Sequence, residues 1–271
     1  MLVSKLDINK KNSLYYEYEE GKQNTYTYVF VNALTGNTSA WNGVIGKRVK
    51  NEGYGYLTYN FRGQINSSFD ENINLTSEII ISDLLKLIDH LNLKNIILCG
   101  LSIGGLYAAI SSLEKIDVKG LILINTLRKP SQRLDWINRA MVNAAKLGGA
   151  ALIMDMGMPV IASPKFLEKV KINALDFKNY KPLEKNDGIL KLMEGSLSAN
   201  WSFDWSKIRV PTLVMTGHLD RMFRIPEDVE ELVKKIKNPI TIELPRCGHL
   251  IPLEEPEQFS DHIIKFVKNL N

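Results

Sequence analysis

Gly100-Leu101-Ser102-Ile103-Gly104 decides the fold. Upstream of it, Asn95-Ile96-Ile97-Leu98-Cys99 is a short apolar run with no polar face, the pattern of a strand buried on both sides. Downstream, Gly105-Leu106-Tyr107-Ala108-Ala109-Ile110 reads as a tightly packed helix. A serine on the sharp turn between such a strand and helix is lifted out of the sheet with its hydroxyl exposed, and the flanking glycines let strand and helix close up beside it. G-x-S-x-G alone arises by chance in many glycine-containing loops; between a strand and a helix it is far more specific.

Working outward from that turn, the chain alternates. Ser13 to Glu19 and Thr25 to Asn32 read as an early strand pair with a turn near Gly21, and Tyr54 to Phe61 as the next strand. Thr76 to Asn92 carries a helical stripe of Ile80, Leu84, Leu87, Ile88 and Leu91. After the Ser102 unit, Val118 to Asn125 is another apolar strand. Strand-helix alternation of this kind predicts a mostly parallel central sheet flanked by helices, an α/β fold.

From Leu127 to about Trp205 no strand is evident, and helix start signals stand at Ser131 and at Ser163-Pro164. This stretch concentrates Trp136, Met141, Met154, Met156, Met158, Met193, Trp201 and Trp205. Most of these side chains are expected to pack between helices, with some facing an apolar pocket. Alternation resumes with a strand over Val210 to Thr216 and a helix beginning Pro226-Glu227-Asp228. A final strand over Pro239 to Leu244 and a helix marked by Phe259, Ile263, Phe266 and Leu270 follow. The expected organisation is a core of 1–127 and 206–271 with a helical cap over 128–205.

Bulk properties narrow the function. The net charge of +4 is small against 34 basic and 30 acidic side chains, and the basic residues are scattered, which argues against a nucleic-acid partner. Two cysteines, Cys99 and Cys247, make no disulfide framework and suit a reducing compartment. Met1 to Asp7 lacks an apolar signal core, and no apolar run approaches a membrane span, so a cytoplasmic location and no membrane partner are expected. Histidines 90, 218, 249 and 262 show no metal-ligand spacing, and a dinucleotide fingerprint is absent; no metal and no cofactor is implied.

A serine hydroxyl needs a base to take its proton and an acid to orient that base. Gly217-His218-Leu219-Asp220 and Cys247-Gly248-His249 follow the last two strands and supply both. The chain order Ser102, Asp220, His249, with Asn60-Phe61-Arg62-Gly63-Gln64 in place of a D-x-R-G-x-G segment and Glu-Glu-Pro-Glu after His249, resembles the α/β-hydrolase superfamily over essentially the whole chain. The resemblance implies an α/β-hydrolase fold with a helical cap inserted after the sixth strand, and Ser102, Asp220 and His249 as catalytic triad. It also implies an oxyanion hole from the backbone N–H groups of Leu34 and Ile103. The usual His-Gly of that loop is replaced here by Val31-Asn32-Ala33-Leu34-Thr35-Gly36, in which Asn32 is free to brace the loop. Asn-x-Leu resembles the enol-lactone hydrolase branch, and Ala-Leu-Thr-Gly resembles homoserine acetyltransferases, which usually have longer chains.

Plainer readings compete with each assignment. As the first residue before a helix Ser102 also fits the plainer role of an N-cap, though its surroundings favour the nucleophile; His218 is a rival base and Asp204 a rival acid. Asn125, where some relatives place the acid, is no carboxylate. Cys99 reads as core packing. The expected activity is hydrolysis of a small or medium acyl ester or lactone through an acyl-enzyme on Ser102, with Trp136, Met154 and Met158 lining the substrate pocket. An acyltransferase, a slow-turnover ligand receptor of this fold and a carbon–carbon hydrolase or lyase remain open.

Overall fold

A computed structural model describes residues 1–270. Eight strands form one sheet: β1 Leu2–Asn9, β2 Asn12–Glu19, β3 Thr27–Val31, β4 Gly55–Tyr59, β5 Ile96–Leu101, β6 Val118–Ile124, β7 Thr212–Gly217 and β8 Ile240–Leu244. Their order across the sheet is β1-β2-β4-β3-β5-β6-β7-β8. From β4 onward every neighbouring pair is parallel, while β2 runs antiparallel to both β1 and β4.

The helices are α1 Ser39–Asn42, α2 Val44–Asn51, α3 Ser77–His90, α4 Ile103–Ser111, α5 Gln132–Ile161, α6 Pro164–Val170, α7 Gly188–Ser196, α8 Pro226–Lys235, α9 Ile251–Glu254 and α10 Pro256–Lys268. Alternate residues of each central strand feed two separate cores. Val29, Leu98, Leu121 and Leu123 pack with α3, α4 and α8 residues such as Leu84, Leu106 and Leu232. Phe30, Cys99, Ile122 and Met215 pack on the other face with Trp41, Val49, Phe259 and Ile263. Both faces of the central strands are thereby covered, which is why their sequences read as continuous apolar runs.

Two expectations near the N-terminus need correction. The strands at 13–19 and 25–32 both form, but they are not partners, because β4 lies between β2 and β3. The hairpin partner of β2 is β1, which the sequence reading passes over. β1 is an edge strand whose residues are all exposed or half-exposed, so Leu-Val-Ser-Lys-Leu-Asp-Ile-Asn lacks the apolar run that marks the inner strands.

Between β6 and β7 the chain leaves the sheet and builds α5 to α7. Ser131 and Ser163 cap α5 and α6, their hydroxyls accepting from the Leu134 and Phe166 N–H groups. α5 is long and apolar enough, by length and composition, to cross a membrane; a search for uninterrupted apolar runs misses it because Arg139, Lys146 and Asp155 intervene. It is not straight. Gly149 adopts φ 68°, and a Cβ there would lie 2.1 Å from the Lys181 carbonyl oxygen, so the helix breaks at this glycine and its second half takes a new direction.

Candidate active site

Ser102 sits between β5 and α4 with φ 59° and ψ −122°, a region sparsely populated by residues with a side chain. The turn is this tight because the glycines around it admit backbone. A Cβ on Gly100 would lie 2.3 Å from the Gly104 carbonyl oxygen, and one on Gly104 would lie 2.3 Å from that of Asn32. α4 is thus pressed against both its own strand and the end of β3. The Ser102 N–H donates to the Ile124 carbonyl at 2.8 Å, fixing the turn to β6.

Asp220 and His249 meet from the loops after β7 and β8, with Asp220 Oδ2 2.6 Å from His249 Nδ1. Both side chains are buried. The other carboxylate oxygen, Oδ1, accepts the N–H groups of Phe223 at 2.9 Å and Met222 at 3.1 Å. Burial alone would raise the Asp220 carboxyl. The His249 imidazole beside it, with the Phe223 N–H and the Arg128 guanidinium, holds it below the ordinary carboxylate value. With Nδ1 engaged, Nε2 is the ring nitrogen left for proton transfer.

These loops are held by groups that the sequence reading did not single out for the task. Asn125, at the end of β6, donates from Nδ2 to the carbonyls of Gly248 and His249 and accepts the Gly217 N–H. It staples the acid loop to the histidine loop. Glu254, the first residue of the Glu-Glu-Pro-Glu stretch, accepts the N–H groups of Gly248, Leu250 and Ser163. The end of α5 joins in, its Ile161 carbonyl accepting the His249 N–H and its Val160 carbonyl the Arg221 N–H.

The loop after β3 is braced by amides. Asn32 Nδ2 donates to the Tyr59 carbonyl and to Gln64 Oε1, while its Oδ1 accepts the Trp41 indole N–H at 2.7 Å. Gln64 Nε2 donates to the carbonyls of Ala33 and Leu34, both at 3.1 Å. The Leu34 N–H has no protein acceptor among the described residues, and the Ile103 N–H belongs to the open first turn of α4. Leu34 and Ile103 both border the cavity that holds Ser102 and His249.

That cavity has a volume of about 120 Å³. Its insertion-side wall is Asn138, Met141, Val142 and Ile161 of α5, Met193 and Ser196 of α7, and Trp201. Trp136, Met154 and Met158 are not part of it. Trp136 is 78% exposed on the opposite side of α5 from Met141, five residues and so about 140° round the helix. Met154 and Met158 lie beyond the Gly149 break and border a separate groove with Leu167 and Val170. Methionine and tryptophan content marks the wall in general, but only helix phase and the break in α5 separate Met141 from Trp136, Met154 and Met158.

The other competing residues lie elsewhere. The His218 ring contacts Glu243 near the surface. Asp204 caps a single turn at Trp205–Lys207 and is exposed. Cys99 is a buried strand residue whose thiol is pushed up by burial, and burial raises Cys247 to about 11. Among the described residues no His, Cys, Asp and Glu cluster suits a metal ion.

The charged residue of the cavity carries no trace in the sequence reading. Arg128 Nη2 donates to Ser102 Oγ at 3.0 Å and to the Asn125 carbonyl at 3.0 Å. Its guanidinium carbon lies 4.6 Å from the Trp201 ring centroid and 4.5 Å from that of Phe223. Burial pushes the guanidinium down to about 10, against the pull of Asp220, leaving it cationic at neutral pH. No hydrogen bond joins Ser102 Oγ to His249 among the described residues. A lone arginine at the mouth of an insertion carries no sequence signal; only the fold brings it to the serine.

A strand-turn-helix serine, a buried carboxylate–imidazole pair on the last two strand loops and open N–H groups at the carboxyl ends of two central strands define the α/β-hydrolase class. A family model described as alpha/beta hydrolase family matches residues 28–262. The chain belongs to that family. It is 27% identical over 275 residues to a Haemophilus influenzae protein carried under a provisional name of esterase/lipase, covering 98% of this chain and 90% of that protein. It is 25% identical over 260 residues to 3-oxoadipate enol-lactonase 1 of Acinetobacter baylyi, covering 92% and 91%. Among solved structures, MGS-M2, an alpha/beta hydrolase enzyme from a Medee basin deep-sea metagenome library, superposes with a TM-score of 0.84 at 23% identity, covering 98% of this chain and 97% of that one.

Proposed function

We propose that the chain is a serine hydrolase that cleaves a small carboxylic ester or lactone through an acyl-enzyme on Ser102. The observation that carries this reading is the 2.6 Å contact between Asp220 and His249 beside a cavity that also holds the strained Ser102. The names of the two sequence relatives, esterase/lipase and enol-lactonase, support the choice of substrate bond.

In this mechanism His249 Nε2 takes the Ser102 proton as Oγ attacks the carbonyl, and Asp220 fixes the tautomer and stabilises the imidazolium. Oγ must first leave Arg128, and rotation of the hydroxyl within the cavity brings it to the imidazole; such contacts tighten only once substrate is bound. The N–H groups of Leu34 and Ile103 receive the developing oxyanion, each worth ~3 kcal/mol in the transition state. His249 returns the proton to the leaving oxygen, and water attacks the acyl-enzyme by the same steps in reverse. The cavity lies below the ~300–1,000 Å³ typical of drug-sized ligands, which favours short acyl groups.

The test is turnover of p-nitrophenyl acetate and butyrate and of small lactones by the wild type and Ser102→Ala. Hydrolysis that falls by about a thousandfold or more in the variant is expected. Wild-type rates in Ser102→Ala would overturn the proposal.

A further inference from the structure

Arg128 is a buried cation with no carboxylate of its own. Among the described residues no Asp or Glu borders the Ser102 cavity, and none forms an ion pair with Arg128. Asp220, the nearest acid in electrostatic terms, has its oxygens taken by His249 and by the Met222 and Phe223 N–H groups. Of the five N–H donors of a guanidinium, only those on Nη2 have acceptors among the described residues, a neutral hydroxyl and a carbonyl. Burying an unpaired charge is costly. The Trp201 and Phe223 rings offset part of that cost and hold the guanidinium in place without occupying its remaining donors.

From this we infer that Arg128 is the specificity-determining residue of the site and binds an anionic group, a carboxylate, carried by the substrate a short spacer away from the scissile carbonyl. The inference rests on the serine-hydrolase reading and narrows its substrate class to esters or lactones of dicarboxylic or similarly anionic acids. A planar fork presents parallel N–H donors that match a carboxylate, and such charge-assisted pairs are among the stronger hydrogen bonds. The geometry also couples binding to chemistry. The Nη2 donor that holds Ser102 Oγ in the free protein is drawn to the incoming carboxylate, and the hydroxyl is released toward His249. The cation that restrains the nucleophile is then the group that the correct substrate neutralises.

The experiment compares matched esters that differ only in the terminal group: p-nitrophenyl butyrate against mono-p-nitrophenyl succinate, and p-nitrophenyl valerate against mono-p-nitrophenyl glutarate. The wild type is expected to prefer the anionic partner in kcat/KM by about tenfold or more. Arg128→Gln is expected to erase that ratio chiefly through KM, with Arg128→Lys restoring part of it. Equal loss on both esters through kcat would mean that Arg128 acts on Ser102 rather than on substrate, and would overturn the inference. So would a wild type indifferent to the carboxylate, a result that needs no folded variant. Calorimetric titration of the wild type and Arg128→Gln with glutarate gives a readout independent of turnover. Binding weakened about tenfold or more by the substitution supports the anion site, and equal or undetectable binding in both refutes it. Neutral-ester turnover with Ser102 labelling by a fluorophosphonate, but no carboxylate preference, would sink this inference alone. No labelling and no ester turnover would sink the serine-hydrolase reading instead.

Discussion

At Ser102 a side chain occupies backbone space that glycine tolerates better, at a cost of about 1–3 kcal/mol. The strain aims Oγ at the cavity rather than adding to stability. Ser102→Gly is therefore expected to be more stable than Ser102→Ala by about 1 kcal/mol, with both inactive, as read by urea unfolding. At Gln64 the logic is positional. Its amide holds the carbonyls of Ala33 and Leu34, and through them the direction of the Leu34 N–H. Gln64→Leu keeps the bulk and loses both bonds, along with those that Oε1 accepts from Asn32 Nδ2 and the Phe61 N–H, so kcat on p-nitrophenyl butyrate should fall about 10- to 100-fold with little change in KM. An effect confined to KM would show that the loop shapes the pocket and not the oxyanion site. Gln64 lies within the stretch that resembles D-x-R-G-x-G, yet its task is invisible in the sequence because its partners are carbonyls some thirty residues away.

At the scale of elements, what is legible is whatever burial writes as a pattern. β5, β6 and β7 are covered on both faces and read as apolar runs. The Ser131 and Ser163 caps read directly as helix starts. β1 is exposed and leaves no such run, and the β2–β3 adjacency fails because sheet order is a property of crossovers and not of sequence neighbours. The same limit governs α5. Before Gly149 phase sets its inward face, which brings Met141 to the cavity and leaves Trp136 outside; past the break Met154 and Met158 border a separate groove, and Ile161 at the helix end returns to the cavity. Met141→Ala should change the ratio of kcat/KM for p-nitrophenyl acetate and butyrate by about tenfold, and Trp136→Ala should leave it near the wild-type value. The reverse pattern would place the substrate on the other side of α5.

Over the whole molecule, the Asp220–His249 pair ties three regions together: the ends of β7 and β8, Asn125 after β6, and the end of α5 through Ile161 and Val160. The pair therefore carries stability as well as reactivity. Its carboxyl is held below the ordinary value, so the folded state binds that proton more weakly than the unfolded chain. The stabilisation is complete above the ordinary carboxylate range and is lost as pH falls through the lowered folded value. In urea melts across pH, the stability advantage of wild type over Asp220→Asn should shrink as pH drops below about 4. An advantage that grows on acidification would contradict the direction of the shift. The order of Ser102, Asp220 and His249 along the chain is readable because loops after strands are where such folds keep their polar groups. Arg128 is not, since nothing local distinguishes it from a surface arginine.

The central claim is that Ser102 becomes covalently acylated. Peptide mapping by mass spectrometry, on protein quenched during turnover of p-nitrophenyl butyrate, addresses it directly. A butyryl ester is expected on Ser102 and on no other residue. Release of p-nitrophenol with Ser102 unmodified and the acyl group elsewhere, or on no residue at all, would contradict it.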